Sequence, residues 1–161
     1  MVIDKLPAGY VSMHIRWGDK IGRGQPGDPK ESVFIPLDVY IKRIPSNTTH
    51  LFVATDDFDS VVQLRNLTNY TVVTRATRGD SGFSISGYKP NLASTISTWA
   101  DMELMAESSV FIGNFASNVA TAVHLMRNSQ SFNVMDDHRH KPQFHCCDGH
   151  KYRDCFWYCD S

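Results

Sequence analysis

Short apolar runs alternate with longer amphipathic stretches along most of this chain. Tyr10–Ile15 (YVSMHI) alternates and is rich in β-formers, which predicts a strand. Arg16–Lys30 follows, with Gly18, Gly22, Gly24, Gly27, Pro26 and Pro29. It is too irregular for an element and longer than a connection needs, and loops of that kind commonly carry function. The spacing predicts a helix over Pro36–Ile44, with Pro36 suited to the first turn. Leu51–Ala54 reads as a buried strand ending in the polar cluster Thr55-Asp56-Asp57. A second helix is expected over Asp59–Leu67, with Val61, Val62 and Leu64 on its apolar side, and Thr71–Thr74 as the next strand. Arg75–Asn91 breaks the rhythm with Gly, Ser and Thr. Leu92, Ile96, Trp99, Ala100 and Ala106 then recur at helical spacing, predicting a helix over Leu92–Ser108. Ser109–Ile112 reads as a strand, Gly113–Ser117 as a turn into a helix through Met126, and Phe132–Met135 as the last strand.

Short apolar strands alternating with helices predict an α/β fold: a parallel sheet of about five strands with helices on both faces, over residues 1–137. Residues 138–161 form a separate Cys/His-rich tail. In parallel sheets ligands sit beyond the carboxyl ends of the strands. That rule selects three places: Ile15–Asp19, Thr55–Asp57 and Gly113–Asn118.

Composition narrows the classes. The 161 residues are 42% hydrophobic and 20% charged, with a formal net charge of −1. Such a chain can bury a core, and its balanced charge argues against a nucleic-acid coat. No apolar run approaches the ~20 residues of a membrane span, and the amino terminus lacks a signal-like stretch. Three N-x-T sequons (Asn47, Asn66, Asn69) and the clustered Cys146, Cys147, Cys155 and Cys159 point to the secretory pathway. Without an entry signal, the expectation is a piece of a longer protein; the alternative is a cytoplasmic one. The tail also holds His138, His140, His145 and His150, so a zinc site and a pair of disulfides both fit its composition, and a lumenal setting favours the disulfides.

Each selected place carries chemistry. In H-I-R-W-G-D-K, alternation puts His14 and Arg16 on one side of the strand. An arginine fork there can hold a phosphate, Lys20 adds a point charge and Asp19 can orient either base; a self-satisfying surface ion cluster is the plainer reading. In G-N-F-A-S-N, the amides of a helix start bind phosphate, with Ser117 and Asn118 as further donors; an ordinary helix cap is the alternative. Asp101, sharing a helix face with Leu104 and Met105, needs a partner if it is buried, and a base edge donating two N–H groups would serve. Asp57 and Asp59 form a D-x-D, for which a helix cap at Asp59 is favoured over a metal.

Together His14–Lys20, F-V-A-T-D-D (Phe52–Asp57) and the run Asp101–Asn118 resemble the donor-binding half of the α-1,6-fucosyltransferase group, which is related to nodulation-factor and protein O-fucosyltransferases. The likeness runs from about Tyr10 to Asp137. It implies the Rossmann-like carboxyl-terminal half of a two-domain GT-B enzyme. The implied reaction transfers fucose from GDP-fucose to a glycan hydroxyl, inverting, without metal or other cofactor, in the Golgi lumen. Its partners would be the nucleotide-sugar donor and a glycan or glycoprotein acceptor. By that resemblance Arg16 holds the pyrophosphate, and His14 and Asp101 contact the guanosine. Ser117 and Asn118 lie at the phosphate end, and Asp19, Asp56 and Asp57 line the cleft. Glu31, ahead of Phe34-Ile-Pro36 and Tyr40, takes the place of the general base, with Lys20 as its charge partner. The α-1,6 enzymes have two consecutive arginines; the second is Trp17 here. A non-catalytic lectin-like or interaction module on the same scaffold is the alternative.

Overall fold

The computed structural model of the protein describes residues 6–18, 34–78, 92–127 and 129–134. The expected Glu31 base, its partner Lys20, Asp19 and the Cys/His tail all lie outside the described residues. The chain alternates strands and helices as β1 (Val11–Ile15), α1 (Leu37–Ile41), β2 (His50–Thr55), α2 (Phe58–Leu67), β3 (Thr71–Thr74), α3 (Leu92–Glu107), β4 (Val110–Gly113), α4 (Asn118–Met126) and β5 (Gln130–Asn133). The five strands pair in the order β3-β2-β1-β4-β5, all parallel. This is a Rossmann-like α/β arrangement.

Alternation divides the strand residues between two cores. Val11, Met13, Ile15 and Trp17 of β1 and its turn join Leu51 and Val53 of β2, Val110 and Ile112 of β4, Leu37, Val39 and Tyr40 of α1 and Val61 and Leu64 of α2. The opposite face gathers Tyr10, Phe52, Ala54 and Phe111 with Met102 and Met105 of α3 and Ala120 and Val123 of α4. The chain runs β1-β2-β3 in one direction with α1 and α2 on one face. It then passes back over β1 to β4 and β5 with α3 and α4 on the other. Reversing direction and changing face together keeps one crossover hand.

Several element ends differ from the sequence expectation for identifiable reasons. α1 stops at Ile41, because Pro45 keeps the residue before it out of the helix and the N–H groups of Arg43 and Ile44 already bond three residues back. Pro36 caps this helix from outside its first turn. The cap of α2 is Asp57, which accepts the N–H of Asp59 at 3.0 Å; Asp59 sits one step inside. Val62 faces outward rather than into the core. β5 begins earlier than Phe132, since as an edge strand it needs only backbone pairing to β4, in register Val110↔Gln130.

Arg127 ties α3, β4 and β5 together. Buried beneath the carboxyl end of α3, it donates to the carbonyls of Met105, Ala106, Ser108 and Gln130. It thereby satisfies carbonyls that a helix end leaves without partners.

Candidate functional site

Because the sheet is all parallel, the ends of β1, β2, β3 and β4 open on one edge. The strand order makes the gap between β1 and β4 the point where the chain changes direction, which is where ligands enter such sheets. Two of the three predicted places flank this gap. His14 is in register with Gly113, so Arg16 and the Asn114–Ser117 turn leave neighbouring strands at the same edge.

His14 lies among the α3 and α4 layer and is buried, with Nδ1 lacking any hydrogen-bond partner. Its neighbours in register are Ala54 and Gly113, which offer no polar group. Burial, and then the nearby Arg16 charge, pull its pKa down to about 3, so the ring is neutral at ordinary pH. Arg16 pairs through Nη1 with Oδ2 of Asp56. Asp56 also accepts the N–H groups of Trp17 (3.0 Å) and Gly18 (3.1 Å). Its carboxylate thus pins the turn after β1 onto the end of β2. Burial pushes the Asp56 carboxyl up, against the pull of Arg16 and the two amides. Asp57 is engaged as a helix cap, and Thr55 accepts its N–H at 3.0 Å.

Trp17 faces the other way. It is buried in the α1 and α2 layer, its Nε1 donating to the Ile35 carbonyl at 3.0 Å and its ring 4.7 Å from that of Phe34. Alternation after Arg16 therefore sends position 17 into the core.

Across the gap, Gly113 lets α4 approach the sheet. A Cβ there would stand 2.7 Å from Cζ of Phe111 and 3.2 Å from Cβ of Ala120. The turn is fixed by Asn114, whose Oδ1 accepts the Ala116 N–H at 3.0 Å, and by Asn133, whose Oδ1 accepts the Phe115 N–H at 3.2 Å. Ser117 is the N-cap residue, yet its side chain makes no capping bond. The first amides of α4, including that of the exposed Asn118, are thus not served by the side chain that usually serves them.

Asp101 sits on α3 over the β3 side of the same edge, beside Arg75, with their side chains each 23% exposed. Burial pushes its carboxyl up to about 6 against the pull of Arg75. The edge thus brings together Arg16, His14, Asp56, the α4 turn and Asp101. Sequence reasoning missed Arg75 and Asn133, and it included Asn114 in the selected turn without giving it a role. The strand-end rule that selected the other places applies equally to Thr74-Arg75.

Among the described residues no helix is long and apolar enough to cross a membrane. Comparison with known protein families gives no match, and none of the curated proteins matches the chain.

Proposed function

We propose that this chain binds GDP-fucose along the carboxyl edge of its sheet, as the donor-binding half of a GT-B fucosyltransferase that passes through the secretory pathway. The observation that carries the reading is the adjacency of Arg16 and the α4 turn at the switch between β1 and β4. An arginine and a helix start at neighbouring strand ends suit a diphosphate once Arg16 turns from Asp56 toward the gap: one supplies a fork of donors, the other aligned amides and the positive end of the helix dipole. Neighbouring strands lie ~4.8 Å apart, so the ends of β3 and β4 are separated by ~14 Å. An extended nucleoside diphosphate is of that reach, with its base toward Asp101 and its phosphates between Arg16 and Ser117. The choice of guanine and of fucose rests on the resemblance of the three ordered motifs.

In the proposed reaction Glu31 takes the proton of the acceptor hydroxyl while its oxygen attacks the anomeric carbon, and the bond to the GDP oxygen breaks in the same in-line step. Arg16 and Lys20 compensate the charge of the leaving diphosphate.

GDP at a hundredfold excess over its dissociation constant should stabilise the chain by about 2.7 kcal/mol, visible as a rise in Tm. Arg16→Ala should remove that rise. A folded chain that GDP does not stabilise overturns the reading. The alternative, a non-catalytic module, draws support from the engagement of Arg16 by Asp56 and from Trp17 turning into the core. GDP binding without turnover by the complete protein on any glycan acceptor would favour it.

A further inference from the structure

Arg75 leaves the end of β3 and meets α3 at two residues one turn apart. Its Nη2 donates to Oγ of Ser97 at 3.0 Å, and its Nε lies 3.5 Å from Oδ1 of Asp101. Residues four apart share a helix face, so the guanidinium lies along the flank of α3 that looks toward the β3 end. The 3.5 Å contact is an ion pair without hydrogen-bond geometry. Oδ1 of Asp101 is buried and accepts no hydrogen bond, although a carboxylate has about four acceptor positions to fill. A buried acceptor left open is costly, and a ligand that supplies the missing donor is one physical reason for a fold to keep it. The side chain is 23% exposed although Oδ1 itself is closed to solvent, so an incoming donor reaches Oδ1 only as the groups covering it part.

We propose that Arg75 is a positioning residue: braced on Ser97, it holds the Asp101 carboxylate charged and oriented to receive the paired N–H donors of a purine edge. The proposal rests on the nucleotide reading above and adds the element that makes Asp101 serviceable. Without a cation, a carboxyl at this depth takes up a proton near neutrality. It then presents one O–H and one weakened acceptor instead of two acceptors. Burial is the stronger influence on this carboxyl, and Arg75 is the charged group among the described residues that opposes it; β1, β2 and α4 supply no other. The arrangement therefore selects a base with two adjacent donors over one presenting an acceptor, and it does so only while Arg75 is in place.

The test uses the full chain with Arg75→Gln and Arg75→Lys, each first checked for folding by its thermal transition, and Ser97→Ala as the milder variant. In the ligand-free protein, the carboxyl-carbon NMR titration of Asp101 should move upward from about 6 in Arg75→Gln and return toward it in Arg75→Lys. Ser97→Ala, which loosens the brace without removing the charge, should give a smaller displacement in the same direction. GDP affinity should fall about threefold at pH 6.5 in Arg75→Gln for each pKa unit by which Asp101 rises, since its ionised fraction then drops from about three quarters to about one quarter. That loss should shrink as the pH is raised and Asp101 ionises again. An Asp101 titration indifferent to Arg75 overturns the proposal, as does a loss of GDP affinity that is equal at every pH, which marks a strut. If GDP fails to bind the unsubstituted chain, the nucleotide reading falls and the purine-edge role with it. The ligand-free titration then still decides whether Arg75 sets the charge of Asp101.

Discussion

At the scale of single residues, the site is built from groups that folding makes expensive. Asp101 and His14 are both shifted by burial toward their neutral forms, and they act on stability with opposite signs. The Asp101 carboxyl is raised to about 6, so the folded state holds its proton more tightly than the unfolded chain does. Its contribution is present below about pH 4 and is lost as the pH rises to about 6. His14 is lowered to about 3. The unfolded chain then binds the extra proton, so stability falls as the pH drops from ~6.5 toward 3. Asp101→Asn should therefore raise Tm at pH 7, a gain of about 1–2 kcal/mol that fades toward pH 4. The same substitution should steepen acid unfolding by removing the opposing slope. A fall in Tm at pH 7 would show that the attraction of Arg75 outweighs the burial of the charge. The expected trade, stability gained where binding is lost, is the one commonly met when a functional charge is removed.

At the scale of elements, helix spacing and helix packing separate cleanly in α3. Leu92, Ile96 and Trp99 announce the helix by their periodicity, yet they are 76%, 59% and 56% exposed, while Met102 and Met105 make the core contact. Periodicity finds a helix because any apolar stripe obeys it; which stripe meets the sheet is decided by the partners on β1, β2 and α4. The junction of β4 and α4 is the tighter constraint. Gly113→Ala would force a methyl against the fully buried Phe111 ring and against Ala120, neither of which can retreat without moving the sheet or the helix. We expect a loss of about 1–3 kcal/mol, as for other overpacked cores, read in denaturant midpoints with an unchanged m-value. A change under ~0.5 kcal/mol would mean that α4 can shift away from β4 freely, and the α4 turn would then be a poor fixed wall for a diphosphate.

At the scale of the molecule, the two edges of the sheet carry different features. The candidate site occupies the carboxyl edge. The three sequons all lie at the opposite one: Asn47 between α1 and β2, Asn66 in the last turn of α2, and Asn69 before β3, each exposed. The loops entering β2 and β3 are joined there by the Thr71 N–H donating to the Thr49 carbonyl at 2.9 Å. Glycans on this corner would project away from the candidate site. Chain secreted from a eukaryotic host should lose apparent mass on glycosidase treatment, with Asn47→Gln removing one step of it. GDP stabilisation should be equal before and after deglycosylation. Loss of GDP binding in the glycosylated form would place the ligand at the wrong edge.

The alternation of apolar strands and amphipathic helices, the parallel sheet and the strand ends that carry polar chemistry were all determined by the sequence itself. Each is a local pattern or follows from chain connectivity. Tertiary structure alone decided the rest. It set β1 between β2 and β4, so that Arg16 and the α4 turn became neighbours across about a hundred residues. It spent Asp56 on the β1 turn and brought Arg75 to Asp101. These are pairings between distant segments, fixed by which faces bury each other, and no spacing along a chain encodes the partner of a charge that lies on another element.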